Sequence, residues 1–172
     1  MGGLGVPPPP TGPPPRPSPS APGPGLLALA AVLAAADLGL KAWAQQALLD
    51  GPMEGGPLDL RLAFNSGVAF SFAAEAPAWT VIAVTGLITL VVAAALWRTA
   101  PTASRLWGGA LAAVLGGAAA NLIDRAPDGT VTDYLHTGWW PTFNLADVFI
   151  VCGGLLLVAL SWRADRSRPA QS

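Results

Sequence analysis

Four apolar stretches of about twenty residues each constrain the fold of this chain more than any other feature. They cover residues 26–47, 78–97, 106–123 and 142–162. A helix needs about 20 residues to cross roughly 30 Å of hydrocarbon, and it satisfies its own backbone hydrogen bonds in lipid. Strands of a membrane barrel would be shorter and would alternate in polarity. The sequence therefore predicts an all-α polytopic membrane protein with four transmembrane helices.

Composition supports this prediction and excludes other classes. Charged residues make up only 11% of the 172 residues, against about 25% in a typical soluble domain. The net charge of −1 argues against a nucleic-acid partner. The single cysteine, Cys152, excludes an internal disulfide and a cysteine-based metal cluster. Seven tryptophans lie at or beside the span ends, where indoles favour the lipid–water boundary: Trp43, Trp79, Trp97, Trp107, Trp139, Trp140 and Trp162.

The basic residues predict the orientation. With the N-terminus in the cytoplasm, six of the nine Lys and Arg residues are cytoplasmic: Arg16, Arg98, Arg105, Arg163, Arg166 and Arg168. This bias places both termini in the cytoplasm. Residues 1–25 include eleven Pro and six Gly, so we expect a disordered cytoplasmic tail, with a Pro-rich docking ligand as the alternative. Residues 26–165 then form the membrane domain, and residues 166–172 form a second cytoplasmic tail.

The first span contains two ionisable residues, Asp37 and Lys41. They interrupt the approach to Ala42-Trp43-Ala44, which could otherwise serve as a signal-peptide cleavage site, and so favour an uncleaved helix. Because they lie four residues apart with the acid first, they can pair on one helix face. The favoured interpretation is a structural ion pair near the outer interface, with Lys41 extended toward water. In the third span, small residues recur at every fourth position and predict a close-packing face: Gly108, Ala112, Gly116 and Ala120.

The segment between the first two spans, residues 48–77, is too long for a simple turn. Leu58 to Leu62 alternates with period two, and Val68 to Phe72 does so in part. Asn65-Ser66-Gly67 lies between them as a turn signal. We expect a small extracytoplasmic β-rich segment between helices 1 and 2, resting on the membrane surface.

Two further acids, Asp133 and Asp147, are predicted to meet at one depth near the outer surface. Asp147 lies about one helical turn into the fourth span, with Asn144 as a plausible N-cap. Two carboxylates held close in a low dielectric tend to share one proton. Aspartyl proteases use this arrangement, in which one acid takes a proton from water and the other polarises the scissile carbonyl. Taken alone, Asp147 could instead be an acid favoured by the helix dipole. Asp124, next to Arg125, is predicted from the residues to form a local salt bridge with it.

Four stretches in this order resemble the lipoprotein signal peptidase family, also called signal peptidase II, over roughly residues 26–165. They are Asp37-Leu38-Gly39-Leu40-Lys41, Phe64 to Ser71, Gly116 to Arg125 leading to Val131-Thr132-Asp133, and Phe143-Asn144-Leu145-Ala146-Asp147. Two positions depart from the family pattern: Ala120 stands where Gly is expected, and Tyr134 where Phe is usual. The Pro-rich tail lies outside the resemblance.

The resemblance implies that Asp133 and Asp147 are the catalytic pair of an aspartic endopeptidase. It implies substrate-binding or supporting roles for seven more residues: Asp37, Lys41, Asn65, Asn121, Asp124, Arg125 and Asn144. The implied substrate is a prolipoprotein whose cysteine already carries diacylglycerol, cut on the N-terminal side of that cysteine. The resemblance implies no metal and no cofactor. The expected partners are this substrate and membrane lipid, and the expected form is a monomer in the bacterial inner membrane, with its active site near the outer leaflet.

One alternative from another class is a small four-helix transporter that uses Asp37 as its coupling carboxylate. The polar residues of this chain cluster at the outer face instead of the bilayer midplane, which disfavours a transporter. His136, close to Asp133, is interpreted as an interfacial polar residue and not as a base.

Overall fold

The computed structural model describes residues 24–67, 77–99 and 104–166. Its helices are α1 (Pro24–Ala47), α2 (Ala78–Thr99), α3 (Arg105–Arg125) and α4 (Leu145–Arg166), and its strands are β1 (Asp59–Asn65) and β2 (Val131–His136). Each helix has the length and apolar composition to cross a membrane, with mean hydropathy between 1.6 and 2.3. The four predicted spans are therefore confirmed, with small shifts at their ends.

The first helix begins within the stretch that the sequence assigned to the tail. Pro24 is the first residue of α1, a position where its missing N–H costs no helical hydrogen bond. The helix then continues without a break through Ala42-Trp43-Ala44. The disordered tail was predicted over residues 1–25, and this prediction is wrong at Pro24 and Gly25, which are helical. Residues 1–23 lie outside the described residues.

The third helix lies at the centre of the bundle and packs against α1, α2 and α4. A Cβ at Gly116 would lie 2.6 Å from the Ala30 carbonyl oxygen of α1, and one at Gly117 would lie 2.5 Å from the Ala146 carbonyl oxygen of α4. Only glycine permits these approaches, because any side chain would clash with a neighbouring backbone. The predicted small-residue face is confirmed as the contact between α3 and α1.

The two strands form an antiparallel sheet that joins distant parts of the chain. Ala63 pairs with Asp133 and Asn65 pairs with Val131, with an irregularity in register between Leu60 and Ala63. The predicted strand between helices 1 and 2 is confirmed, but its partner β2 comes from the segment between α3 and α4, which the sequence pattern did not indicate. The second predicted strand, Val68 to Phe72, lies outside the described residues.

Candidate active site

Asp147 is fixed in the first turn of α4 by a reciprocal cap. The Asp147 backbone N–H donates to Asn144 Oδ1 at 2.9 Å, and the Asn144 backbone N–H donates to Asp147 Oδ2 at 3.2 Å. Each side chain thus satisfies a backbone donor that the start of a helix leaves free. The predicted N-cap role of Asn144 is confirmed. The cap also holds the carboxylate where the helix dipole favours negative charge.

Asp133 lies in β2 and is almost fully buried, with 2% of its surface exposed. Asn144 Nδ2 donates to its Oδ1 at 2.7 Å, and Asn65 Nδ2 donates to its Oδ2 at 3.1 Å. Burial raises the pKa of Asp133 to about 6; the hydrogen bond from Asn65 opposes this rise, whereas the charge of Asp147 reinforces it. Asn144 therefore contacts both acids, and Asp133 holds a proton more readily than an ordinary carboxyl group.

Lys41 supplies a buried positive charge beneath these acids. Its ammonium lies 2.9 Å from Asp37 Oδ2 and 3.3 Å from Asp124 Oδ2, and it donates to Asn121 Oδ1 at 2.6 Å. The predicted Asp37–Lys41 pair is confirmed. The predicted extension of Lys41 toward water is wrong, because only 1% of the residue is exposed. Its three oxygen partners, on Asp37, Asp124 and Asn121, offset the free-energy cost of removing the ammonium from water.

Asn121 links this cation to the acid in α4. Its Oδ1 accepts from Lys41, and its Nδ2 donates to Asp147 Oδ1 at 2.9 Å. The ammonium has only N–H donors, so it leaves the Asn121 amide one orientation, with its NH₂ group toward Asp147. The two hydrogen bonds thus form a chain from the buried ammonium to the Asp147 carboxylate.

Asp124 and Arg125 point to different partners, so the predicted local salt bridge between them is wrong. Adjacent residues on a helix do not face each other. Asp124 Oδ2 accepts from the Thr132 backbone N–H at 2.7 Å, which ties α3 to β2. Arg125 Nη2 donates to the Asn65 carbonyl oxygen at 3.4 Å, which ties α3 to β1.

Asn65 contacts other residues through both ends of its side-chain amide and through its backbone carbonyl oxygen. Besides its bonds to Asp133 and Arg125, its Oδ1 accepts from the Gly67 N–H at 2.8 Å. Gly67 has φ of 81°, and a Cβ there would lie 2.9 Å from Val81 Cγ1 and 3.3 Å from Arg125 Nη2. The glycine is therefore required for the turn that presents Asn65 to Asp133.

The sequence pattern did not indicate a role for Tyr134. Its hydroxyl accepts from the Leu145 N–H at 3.2 Å and donates to Asp37 Oδ1 at 3.4 Å, an atom that also accepts from the Ala146 N–H at 2.9 Å. Burial raises the pKa of Tyr134, so the phenol stays protonated and able to donate. The one sequence feature that could have pointed to this role is the hydroxyl of Tyr134 at a position where the family usually has Phe. The Tyr134 hydroxyl accepts the hydrogen bond of a backbone N–H at the start of α4 and connects that helix to α1 through Asp37.

Comparison with known proteins identifies the family to which the chain belongs. The family model described as signal peptidase (SPase) II matches residues 29–163. This chain belongs to the signal peptidase II family. Members of this family are aspartic proteases, so the chain is an enzyme of that class and a multi-pass bacterial membrane protein. The transporter alternative has no support, since the family is a peptidase family and Asp37 is engaged in a buried ion pair.

Individual relatives and solved structures agree with the family assignment. The chain is 40% identical over 145 residues to the lipoprotein signal peptidase of Mycobacterium avium (strain 104), a match that covers 79% of this chain and 78% of that protein. It is 39% identical over 119 residues to that of Ectopseudomonas mendocina (strain ymp), with coverages of 65% and 70%.

Two solved structures described as bacterial membrane enzymes share the fold, with TM-scores of 0.71 and 0.67 and sequence identities of 19% and 21%. The matches cover 87% and 80% of this chain and 94% and 92% of those chains. They confirm the fold of this signal peptidase II.

Proposed function

We propose that this signal peptidase II removes the signal peptide from prolipoproteins whose cysteine carries diacylglycerol, and that Asp133 and Asp147 are its catalytic pair. The cut is made on the N-terminal side of the modified cysteine. The observation that carries the assignment of the pair is the position of Asn144, which donates through its side chain to Asp133 and through its backbone to Asp147. One residue thereby holds two carboxyl groups at the junction of β2 and α4.

The surroundings of the two acids support different roles in proton transfer. Asp147 accepts two N–H hydrogen bonds at the start of a helix, and we assign it the role of the base that takes a proton from water. Asp133, with its raised pKa, keeps a proton and donates it in a hydrogen bond to the scissile carbonyl oxygen. The resulting hydroxide attacks the carbonyl carbon, and the proton taken up by Asp147 then goes to the leaving amine.

The remaining polar residues position this pair. Lys41 orients Asn121 toward Asp147, and Asp37 and Asp124 keep the Lys41 ammonium in place. Asn65 orients Asp133, and Arg125 secures the Asn65 backbone. None of these residues needs to exchange a proton with the substrate, so their loss should lower turnover less than loss of either acid.

The topology supports a site near the outer leaflet and cytoplasmic termini. The two strands follow the C-terminal ends of α1 and α3, whereas four basic residues lie at or near the opposite helix ends: Arg98, Arg105, Arg163 and Arg166. The positive-inside rule then places those ends in the cytoplasm and both acids on the outer side. In this arrangement a monomer surrounded by membrane lipid meets its lipid-modified substrate within the bilayer.

The test is cleavage of a diacylglyceryl-modified precursor by the purified protein. Asp133→Asn and Asp147→Asn should each lower the rate by at least about 10²- to 10⁴-fold, because asparagine can neither accept nor donate the required proton. Since both acids serve one unit, the double variant should be scarcely slower than either single variant. Asp128→Asn is the matched control, because Asp128 is an exposed acid whose hydrogen bonds, within the described part of the chain, stay in its own turn. Substantial cleavage by either single variant would refute the catalytic pair.

A further inference from the structure

An apolar groove begins beside Asp147 on the side of α4. Its outer part has a volume of about 430 Å³ and is lined by residues that include Trp139, Trp140, Asp147, Val148, Val151 and Cys152. Among the residues that the structure describes, Asp147 is the only charged one in this lining. Both tryptophans are exposed, as expected of indoles at a lipid–water boundary. The groove therefore connects one of the two proposed catalytic acids with the apolar surroundings of the helix.

A second pocket continues the groove along the interface between α3 and α4. It has a volume of about 320 Å³, shares Val148 and Cys152 with the outer part, and extends to Leu156 of α4 and Arg105 of α3. Because Val148 and Cys152 line both parts, the two pockets are adjacent along α4. Together they extend from the proposed catalytic acid along α4 as far as Leu156.

We infer that this groove binds an acyl chain of the diacylglyceryl group on the substrate cysteine. The inference rests on the proposed function, which places that cysteine directly after the scissile bond and hence beside Asp147. A helix about 10 Å across occupies roughly 400 Å³ per turn, so the two parts together hold only about two turns of a signal-peptide helix. A single hydrocarbon chain is thinner than a helix and fits within these volumes.

A polar group at the outer end of the groove fits the same ligand. Thr137 lines this end, and its buried hydroxyl has no hydrogen-bond partner in the part of the chain that the structure describes. A buried hydroxyl without a partner is costly. Rotation of the Thr137 side chain toward the groove would let this hydroxyl donate to an ester carbonyl, which attaches each acyl chain to the glycerol where the hydrocarbon begins.

The sole cysteine of the chain allows the groove to be probed in the native sequence. Cys152 is exposed and lines both parts. Its labelling by N-ethylmaleimide is measured in the cleavage-deficient Asp133→Asn protein in nanodiscs, with precursor whose binding is checked by co-purification. Bound diacylglyceryl precursor should slow labelling more than fivefold, and the same precursor without lipid should not. Unchanged labelling with bound lipidated precursor would refute the inference. Equal protection by the unlipidated precursor would also refute it, because the groove would then be occupied by the signal-peptide helix.

A second experiment fills the groove without relying on the cysteine. Val151→Phe should raise the KM for the diacylglyceryl precursor more than tenfold with little change in kcat, since each methylene that loses contact costs roughly fourfold in affinity. Val158→Phe is the matched control, because Val158 lies two turns further along α4, is similarly exposed and lines neither part of the groove. A normal KM for Val151→Phe would overturn the inference. Failure of the wild-type protein to cleave this precursor would instead refute the proposed function.

Discussion

Replacing Asp37 with asparagine or with alanine separates its charge from its hydrogen bonds. Asp37 is fully buried, and its Oδ2 pairs with Lys41 while its Oδ1 accepts from the Ala146 N–H. Alanine removes these two contacts and the hydrogen bond from Tyr134, and it leaves the ammonium with Asp124 as its one acidic partner. Asparagine removes the charge but keeps an acceptor for Ala146. The two variants therefore report on different interactions of one side chain.

The structure sets the size of the expected effects. Removing one partner of a buried ion pair costs about 3–5 kcal/mol, so Asp37→Ala should lower the free energy of unfolding by this amount. Asp37→Asn should cost about 1–1.5 kcal/mol less, because one hydrogen bond to the start of α4 remains. In the double variant Asp37→Asn with Lys41→Met, no unpaired ammonium remains, so the two losses should be less than additive by about 1–3 kcal/mol.

The measurements are unfolding by SDS in mixed micelles, followed by tryptophan fluorescence, and cleavage per folded molecule. We expect the Asp37 variants to reduce the amount of folded protein more than the turnover of the folded fraction. Additive losses in the double variant would refute the direct ion pair. Normal stability of Asp37→Asn together with abolished cleavage would refute the structural role and move Asp37 into the catalytic machinery.

Three further predictions concern pH, topology and the tail. Because the proposed mechanism needs a protonated Asp133, cleavage should decline as pH rises through about 6. Asn65→Ala should move this decline to higher pH, because the hydrogen bond from Asn65 lowers the pKa of Asp133. An unchanged or lower midpoint would contradict the role of Asp133 as the proton donor. A reporter fused after Ser172 should read as cytoplasmic, and a periplasmic signal would contradict the proposed orientation. Deletion of residues 2–22 should leave folding and cleavage intact, since a stretch so rich in Pro and Gly cannot form a packed element; loss of either would indicate a specific role for the tail.

The helices could be predicted from the sequence because lipid imposes a long apolar run on each span. Side-chain direction could not be read in the same way. The spacing of Asp37 and Lys41 predicted their pairing, but spacing alone does not say which way the shared helix face is turned. The sequence therefore predicts a Lys41 side chain that extends to water, whereas its partners Asn121 and Asp124 lie on another helix. These contacts depend on how α3 packs against α1.

The same limit applied to the strands and to Tyr134. The period-two pattern indicated a strand after the first helix, but pairing with a strand more than sixty residues later leaves no local signal. The acids Asp133 and Asp147 were predicted to lie together because each stands near an end of a span at one membrane depth. The Tyr134 hydroxyl was missed because its two partners are backbone and carboxyl groups of other elements.

The pairing of β1 with β2 has a consequence for biosynthesis. Asn65 is translated 66 residues before its pairing partner Val131, which at about 5–20 residues per second is an interval of roughly 3–13 s. During this time β1 has no β2 to pair with, and Asp59 and Arg61 give it charges of the kind that discourage pairing with other chains. The two proposed catalytic acids can therefore come together only after the start of α4 has been synthesised.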